Sequence, residues 1–524
     1  MYDVQDTQTA TRIYTGERYE RNAAVMALDR FRRSPLCTAT AVLGEGELTY
    51  AQVGERVSVA AAALRAAGVE RGDRVALAAN NTPEIIDYLV ATLALGAVFV
   101  PLNTRLSAAE LEFIITDADC TVVVADRDLA RHMAPVQDAL GARLVGIAAD
   151  GLPAGWTPEA DLVPADVEPL VEAVDTDPHD VAILMYTSGT TGNPKGVMIS
   201  HDNLLAGIHN LMLIVTFGGD SGMLVMTPIF HVAALALALA TLATGGRVVI
   251  MRNFTPAAFF DALDAHPITF SFGVPAMLQM ISAEERFATT DLSRLFLMCA
   301  GAPVPPALLD LYLEQGAKVT QGYGLTESTG TVSLLEPSMA RLKLGSAGLP
   351  FPMTEVQLRD LEGNVIEEVG VDGEIWAKGR CMVQGYWNRP AETAELHDEH
   401  GWLRTGDAAR YDADGYLYIT DRIKDMIITG GENVYPAEVE KALAAHPAIA
   451  EVAVVGVPDE RWGEAVCAVV TLAPGASLTL DELQAYAREH LGGYKVPRRL
   501  HIAEELPRNA SGKVLKRNIR ADLA

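Results

Sequence analysis

The sequence predicts an α/β chain: a large N-terminal domain of parallel-rich sheets covered by helices, followed by a small α+β domain. Three observations carry this. Short apolar segments alternate with helical ones over most of the chain, the segments are near-continuously apolar as in sheets buried on both faces, and 524 residues exceed one ordinary domain.

In order, "ELTYAQVGERVSVAAAALRAAG" gives an Ala-rich helix ending before Gly68. "DRVALAA" is a strand, "PEIIDYLVATLALG" a helix and "AVFVPLN" another strand. The alternation recurs at "TVVVAD", "RVVIM" and "ITFSFGVPAMLQMI". The longest apolar run, "VAALALALATLA" from Val232 to Ala243, is too short to span a bilayer and reads as a packed internal helix. Composition shifts near residue 405. From "GYLYITDRIKDMIITGGENVYPAEVEKALAAHP" onward the pattern is strand, turn, capped helix, two strands, helix and strand, a unit of roughly a hundred residues. The expected domains are therefore 1–422 and 423–524, joined without a floppy linker at "DRIKD", Asp421 to Asp425.

With 49% hydrophobic and 21% charged residues the composition is globular. A net charge of -27 argues against a nucleic-acid partner, since phosphate backbones need basic clusters. A few cations inside a cleft can still hold a small anionic substrate. Five scattered cysteines without a CxxC pair fit a reducing cytoplasm and give no zinc or disulfide framework. The N-terminal stretch "MYDVQDTQTATRIYTGERYERN" is polar and mixed in charge, unlike a signal peptide. The expectation is a soluble cytoplasmic protein with no integral membrane segment.

The chemistry begins at "YTSGTTGNPKGVMIS", Tyr186 to Ser200, directly after the apolar run "VAILM". A buried strand opens there into a loop of close-approach glycines, the hydroxyls of Thr187, Ser188, Thr190 and Thr191, and the charge of Lys195, a set suited to a polyphosphate. It is not a Walker loop: Pro194 precedes Lys195 and Gly196 follows it, where Gly-Lys-Ser/Thr is required. The bland alternative is a Gly/Thr-rich surface loop with no ligand. In "QGYGLTES", Gln321 to Ser328, an aromatic ring between glycines could cover a purine and Glu327 could hold Mg²⁺; a glycine turn with a surface glutamate is the alternative. "WLRTGD" ends a strand with Asp407, which could accept two ribose hydroxyls or simply form a turn. Arg422, Lys424 and the Gly430–Gly431 turn follow, and "PRNASGKVLKR" places Lys513 near the C-terminus.

Singly these pieces are ordinary; in this order they resemble the adenylate-forming superfamily of acyl- and aryl-CoA synthetases, peptide-synthetase adenylation domains and luciferases. The resemblance runs from about residue 48 to the C-terminus, and "MIITGGENVYPAEVE" and "SGKVLKR" look most like bacterial fatty-acyl and aryl-acid CoA ligases. It implies that Thr187, Ser188, Gly189, Thr190, Thr191, Gly192 and Lys195 hold the ATP phosphates. It places Gly301, Ala302, Pro303, Gln321, Gly322, Tyr323, Gly324 and Thr326 around the nucleotide, Asp407 on the ribose and Arg422 on the ribose or α-phosphate side. Glu327 would bind Mg²⁺, and Lys513 would bridge the acid and the α-phosphate. Thr187, His231, Glu327 and Lys513 form the implied catalytic set. The C-terminal domain would rotate about Lys424, withdrawing Lys513 and bringing Gly430, Gly431, Glu432 and Asn433 to the CoA tunnel.

For the acid, the resemblance points to His231, Val232 and Ala233, to Ser271, Phe272, Gly273 and Val274, and to Gly324 as pocket walls. Amino-acid-activating relatives carry an aspartate where this chain has His231, so an apolar fatty or aryl monocarboxylic acid is expected. The predicted activity is that of an AMP-forming carboxylic acid:CoA ligase using ATP, Mg²⁺ and CoA. Two alternatives stay open: an acyl-AMP ligase loading a carrier protein's phosphopantetheine arm, and a non-catalytic nucleotide-binding protein. A homodimer is also left open.

Overall fold

The computed structural model describes residue 19 and residues 21–148, 150–187, 194–215, 217–301, 304–429, 432–459, 461–508 and 514–523. The chain divides into two compact units, residues 1–355 with 377–403, and residues 356–376 with 404–524. The expected division at 422/423 falls inside the second unit, because the strands carrying Asp407 and Arg422 group with the C-terminal residues.

The first unit contains two large sheets. In the seven-stranded sheet Val122–Ala125, Arg74–Ala78, Val98–Pro101 and Val181–Thr187 lie side by side in parallel, and Lys195–Ser200 closes one edge antiparallel to Val181–Thr187. Val98–Pro101 and Val122–Ala125 are buried along their whole length, the burial their unbroken apolar sequences require. In the nine-stranded sheet, six strands from Thr38–Val42 to Lys318–Tyr323 run parallel. The helices match the sequence pattern closely. Tyr50–Ala66 is opened by a Thr49–Gln52 capping box, and Val232–Ala243 is buried from Val232 to Leu242 except at Ala233.

The second unit pairs Leu403–Tyr411 with Leu417–Arg422 in antiparallel register. Its other sheet combines Ile427–Thr429, Glu432–Val434, Ile449–Asp459, Gly463–Leu472 and Arg499–Ile502. Helices Pro436–Leu443 and Leu480–His490 supply Val439, Leu443 and Leu483 to a core shared with Ile427, Val454 and Val466. One expectation is corrected: Asp407 does not end its strand. The strand continues to Tyr411 through a left-handed Gly406 (φ +73), and the ladder with Leu417–Arg422 shifts register only beyond it, between Ala408 and Ala409, where Thr420 of the partner strand is the extra residue.

Among the described residues no helix is long and apolar enough to cross a membrane.

Candidate active site

In the first unit the predicted phosphate loop springs from a hairpin whose last paired residues are Thr187 and Lys195. Ser188, Gly189, Thr190, Thr191 and Gly192 lie outside the described residues. The hairpin is tied down from outside. Met198 N donates to Gly385 O at 3.0 Å, and Trp387 N donates to Gly196 O at 2.8 Å. Tyr186 Oη donates to Asp117 Oδ2 at 2.8 Å, while Arg389 grips Asp117 Oδ1 at 2.8 Å. Lys195, whose side chain is 15% exposed, sits 5.2 Å from the Tyr386 ring centroid and 3.7 Å from Glu392 Oε1.

Glu327 lies in the same cluster. It occupies the short 3-10 turn Thr326–Ser328, and its carboxylate accepts a hydrogen bond from Tyr386 Oη at 2.8 Å. Its carbonyl accepts from Val383 N at 2.9 Å. The turn is stiffened by Gly330 N donating to Leu325 O and by Thr329 Oγ1 donating to Cys381 O. Gly324 is required for this packing: a Cβ there would overlap the Gly330 carbonyl and lie 2.9 Å from Thr331 N. At Gly322, by contrast, the nearest atom to a Cβ would be 3.9 Å away. Of the two glycines flanking Tyr323, one serves the loop itself and the other leaves open space.

Three parallel strands end together here. Phe270–Gly273, Phe296–Cys299 and Lys318–Tyr323 deliver Gly273, Gly301 and Tyr323 to their carboxyl ends, where open α/β sheets bind ligands. Ala302 and Pro303 lie outside the described residues. Gln321 shapes the following turn from both sides: its side chain accepts from Val304 N at 2.9 Å and donates to Ser346 O at 3.0 Å. Of the acyl-wall residues, Ser271 is fully buried with its hydroxyl bonded to Leu224 O at 2.9 Å. Phe272 is buried, and Val274 approaches Gly301.

His231 caps the Val232–Ala243 helix without a side-chain capping bond. A Cβ on Gly330 would lie 3.7 Å from Val232 Cγ1 and 4.0 Å from the Ala233 Cα, so this helix end abuts the Glu327 loop. His231 is exposed as a residue, yet the protein around its ring is dense enough to disfavour the charged form. That crowding, with the Arg105 cation nearby, pushes its pKa below the ordinary imidazole range and keeps it neutral.

In the second unit Asp407 and Arg422 are direct cross-strand partners, with Arg422 Nε 3.2 Å from Asp407 Oδ1. Lys424 sits in the 3-10 turn Ile423–Asp425, which Arg520 anchors through Asp425 at 2.9 Å. Glu432 is exposed on the strand Glu432–Val434, and Asn433 pairs with Ile428 there. Gly430, Gly431 and Lys513 lie outside the described residues; Arg508 and Val514, on either side of Lys513, pair with each other.

Among the described residues no group of three or more His, Cys, Asp or Glu side chains could hold a metal by itself. A single carboxylate such as Glu327 still fits Mg²⁺, which binds through one or two carboxylates together with substrate phosphates. Tyr386, Glu392, Asp117 and Arg389 were not foreseen from the sequence. Their contacts to the motifs and to one another span roughly sixty to two hundred and seventy residues, and no local periodicity signals them.

A hairpin that opens into a glycine- and threonine-rich stretch, the Glu327 carboxylate in the cluster at its base and convergent parallel-strand ends together describe a nucleotide-activating enzyme. A model of the AMP-binding enzyme family matches residues 29–387, and one of the AMP-binding enzyme C-terminal domain matches residues 438–513. The chain belongs to that family, within the adenylate-forming superfamily. It is 43% identical over 493 residues to a feruloyl-CoA synthase from Amycolatopsis sp, covering 94% of this chain and 97% of the relative. It is 38% identical over 476 residues to the long-chain-fatty-acid–CoA ligase FadD13 of Mycobacterium tuberculosis, covering 90% and 92%. Among solved structures it resembles ATP-bound MatB from Rhodopseudomonas palustris (TM-score 0.86, 30% identity, 96% and 99% coverage). A similar likeness holds to o-succinylbenzoate CoA synthetase from Bacillus subtilis with its acyl-adenylate intermediate (TM-score 0.84, 30% identity, 95% and 98% coverage).

Proposed function

We propose that the protein is an AMP-forming carboxylic acid:CoA ligase acting on an apolar fatty or aryl acid. The observation that carries this is the cluster of Lys195, Tyr386 and Glu327 at the phosphate hairpin, beside the His231 end of a buried apolar helix. The named relatives are CoA ligases for feruloyl and long-chain fatty acids, which agrees with an apolar acid.

A carboxylate attacking ATP is anion meeting anion, so cations must offset the repulsion and the charge that develops at phosphorus. Thr187 and Lys195 hold the β- and γ-phosphates, Asp407 the ribose hydroxyls and Arg422 the α-phosphate side. Mg²⁺ held by Glu327 supplies further charge neutralisation. Lys513 orients the acid. An acid oxygen bonds to the α-phosphorus as the bond to pyrophosphate breaks, leaving an acyl-AMP anhydride. The CoA sulfur, as thiolate, then bonds to the acyl carbon, and AMP leaves with the electron pair of the broken C–O bond. Neutral His231 lines the acid's carboxylate end without competing as a counter-charge. Rotation about Lys424 exchanges Lys513 for Gly430, Gly431, Glu432 and Asn433 between the two steps. All five cysteines are free and four are buried, which suits a cytoplasmic enzyme.

The test is pyrophosphate release with Mg²⁺-ATP across fatty acids, benzoates, cinnamates, malonate and amino acids, with and without CoA, products being identified by mass. Thioester from an apolar monocarboxylic acid is expected. Acyl-AMP that accumulates despite CoA would transfer the assignment to a carrier-protein acceptor, and thioester from an amino acid or malonate alone would overturn the substrate class.

A further inference from the structure

We propose that Tyr386 is a positioning residue that presents the Glu327 carboxylate to the nucleotide's metal ion while holding Lys195 against its ring. The inference rests on the reading of Glu327 as the metal-binding carboxylate. It begins from one side chain serving two charged groups. The Tyr386 hydroxyl donates to Glu327 Oε1 at 2.8 Å, and its ring lies 5.2 Å from Lys195 Nζ. The hydroxyl is the donor in this bond and the carboxylate the acceptor, so Tyr386 meets Glu327 as a neutral phenol.

Tyr386 is itself held in place. It forms an isolated bridge with Val197 of the phosphate hairpin, and its N–H donates to Thr393 Oγ1 at 2.9 Å. Its neighbours Val383, Gly385 and Trp387 bond to Glu327, Met198 and Gly196. The segment therefore staples the lysine strand to the carboxylate turn, with Tyr386 at the centre. A tyrosine hydroxyl occupies one carboxylate oxygen and fixes its rotation, leaving Oε2 to meet a cation. Partners of this outer kind are worth roughly 10- to 100-fold in metal affinity when removed. The ring face attracts the ammonium of Lys195 as aromatic faces attract cations generally.

The substitutions separate the two roles. Tyr386→Phe removes the hydroxyl and keeps the ring; Tyr386→Leu removes both. Binding of Mn²⁺·ATP, followed by the electron paramagnetic resonance of Mn²⁺ and by calorimetry without acid or CoA, reads the metal site apart from turnover. Metal-free ATP binding serves as the reference. Tyr386→Phe is expected to weaken Mn²⁺·ATP roughly tenfold while changing metal-free ATP less than twofold. In a Glu327→Gln background the same change is expected to add nothing. Tyr386→Leu is expected to weaken metal-free ATP as well, because Lys195 loses its rest. Thermal melting of both variants confirms that they fold.

An equal Tyr386→Phe effect with and without Glu327 would overturn the proposal, since the hydroxyl would then act elsewhere. Unchanged Mn²⁺·ATP binding in Tyr386→Phe, with weakened binding in Glu327→Gln, would overturn it while leaving the metal assignment standing. Wild-type Mn²⁺·ATP binding in Glu327→Gln would overturn the metal assignment and the proposal with it.

Discussion

Asp407 and Arg422 stand opposite each other on neighbouring antiparallel strands, with the guanidinium Nε 3.2 Å from a carboxylate that is itself buried. The pairing makes each side chain the other's positioner. A carboxylate offers only acceptors, so Asp407 is chemically matched to the donors of ligand hydroxyls. Asp407→Asn preserves shape and loses charge. Its expected effect is a rise in the KM for ATP of roughly 10- to 100-fold, the equivalent of ~1.5–3 kcal/mol for hydrogen bonds to a charged group. Steady-state kinetics with ATP varied at saturating acid and CoA check it. An unchanged KM would mean that the pair is only a strand staple.

Gly322 and Gly324 flank the same tyrosine but answer to different constraints. A methyl group at position 324 meets backbone that cannot move aside, so Gly324→Ala should cost about 1–3 kcal/mol and lower the melting temperature. A methyl group at position 322 meets nothing closer than 3.9 Å. Gly322→Ala should melt like the wild type, and any loss of ATP affinity it shows then reports a ligand that comes close to that backbone. Calorimetric melting and nucleotide titration of the pair distinguish the two; equal melting of both variants would contradict the geometry.

The alternating pattern and the wording of the motifs made the α/β architecture readable in the sequence, down to the helix Val232–Ala243 and the strands Arg74–Ala78 and Val98–Pro101. Local signals suffice where one segment's periodicity fixes its own burial. They fail where a contact joins distant segments. Nothing in "VQGYWNRP" says that Tyr386 meets Glu327 fifty-nine residues away, or that Arg389 meets Asp117. They also fail where one local pattern serves two geometries. Thr-Gly-Asp reads as a turn, yet the left-handed Gly406 sits inside a strand that continues. Gly324 reads as a ligand glycine, yet its close neighbour is the protein's own carbonyl.

Acid sensitivity should trace in part to His201. Its ring is buried, Nδ1 accepts a hydrogen bond from Ala23 N at 3.2 Å, and burial pushes its pKa down to about 4. The unfolded chain, with an ordinary imidazole near pH 6.5, binds the proton first. Between about pH 6.5 and about 4 the folded state therefore holds fewer protons, and stability falls as pH falls through that window, levelling off below it. The full loss is on the order of 3 kcal/mol. His201→Asn, which keeps an acceptor near Nδ1, should flatten the melting temperature's dependence on pH between 6.5 and 4 and shift it little at pH 7.5. A slope identical to that of the wild type would assign the acid lability to other groups.

His231 offers a clean separation of the acid from the nucleotide. The residue occupies a helix N-cap without using its side chain as a cap, so its replacement removes no capping bond. Its ring pairs with that of Phe230 at a centroid distance of 4.7 Å, and a tilted pair of this kind is worth ~0.5–1.5 kcal/mol. His231→Ala should therefore fold and melt within a few degrees of the wild type. If the ring borders the acid's carboxylate end, the KM for the acid should rise about 5- to 50-fold while the KM for ATP stays within twofold. His231→Gln, neutral and able to hydrogen-bond, should recover part of the loss; His231→Asp, which brings a second negative charge to the carboxylate, should be worse than alanine. The discriminating measurement is kcat/KM for the acid at fixed saturating ATP across the three variants. A KM for ATP that moves in parallel would place His231 on the nucleotide side of the site, and an aspartate better than alanine would indicate a substrate carrying a cationic group beside its carboxylate.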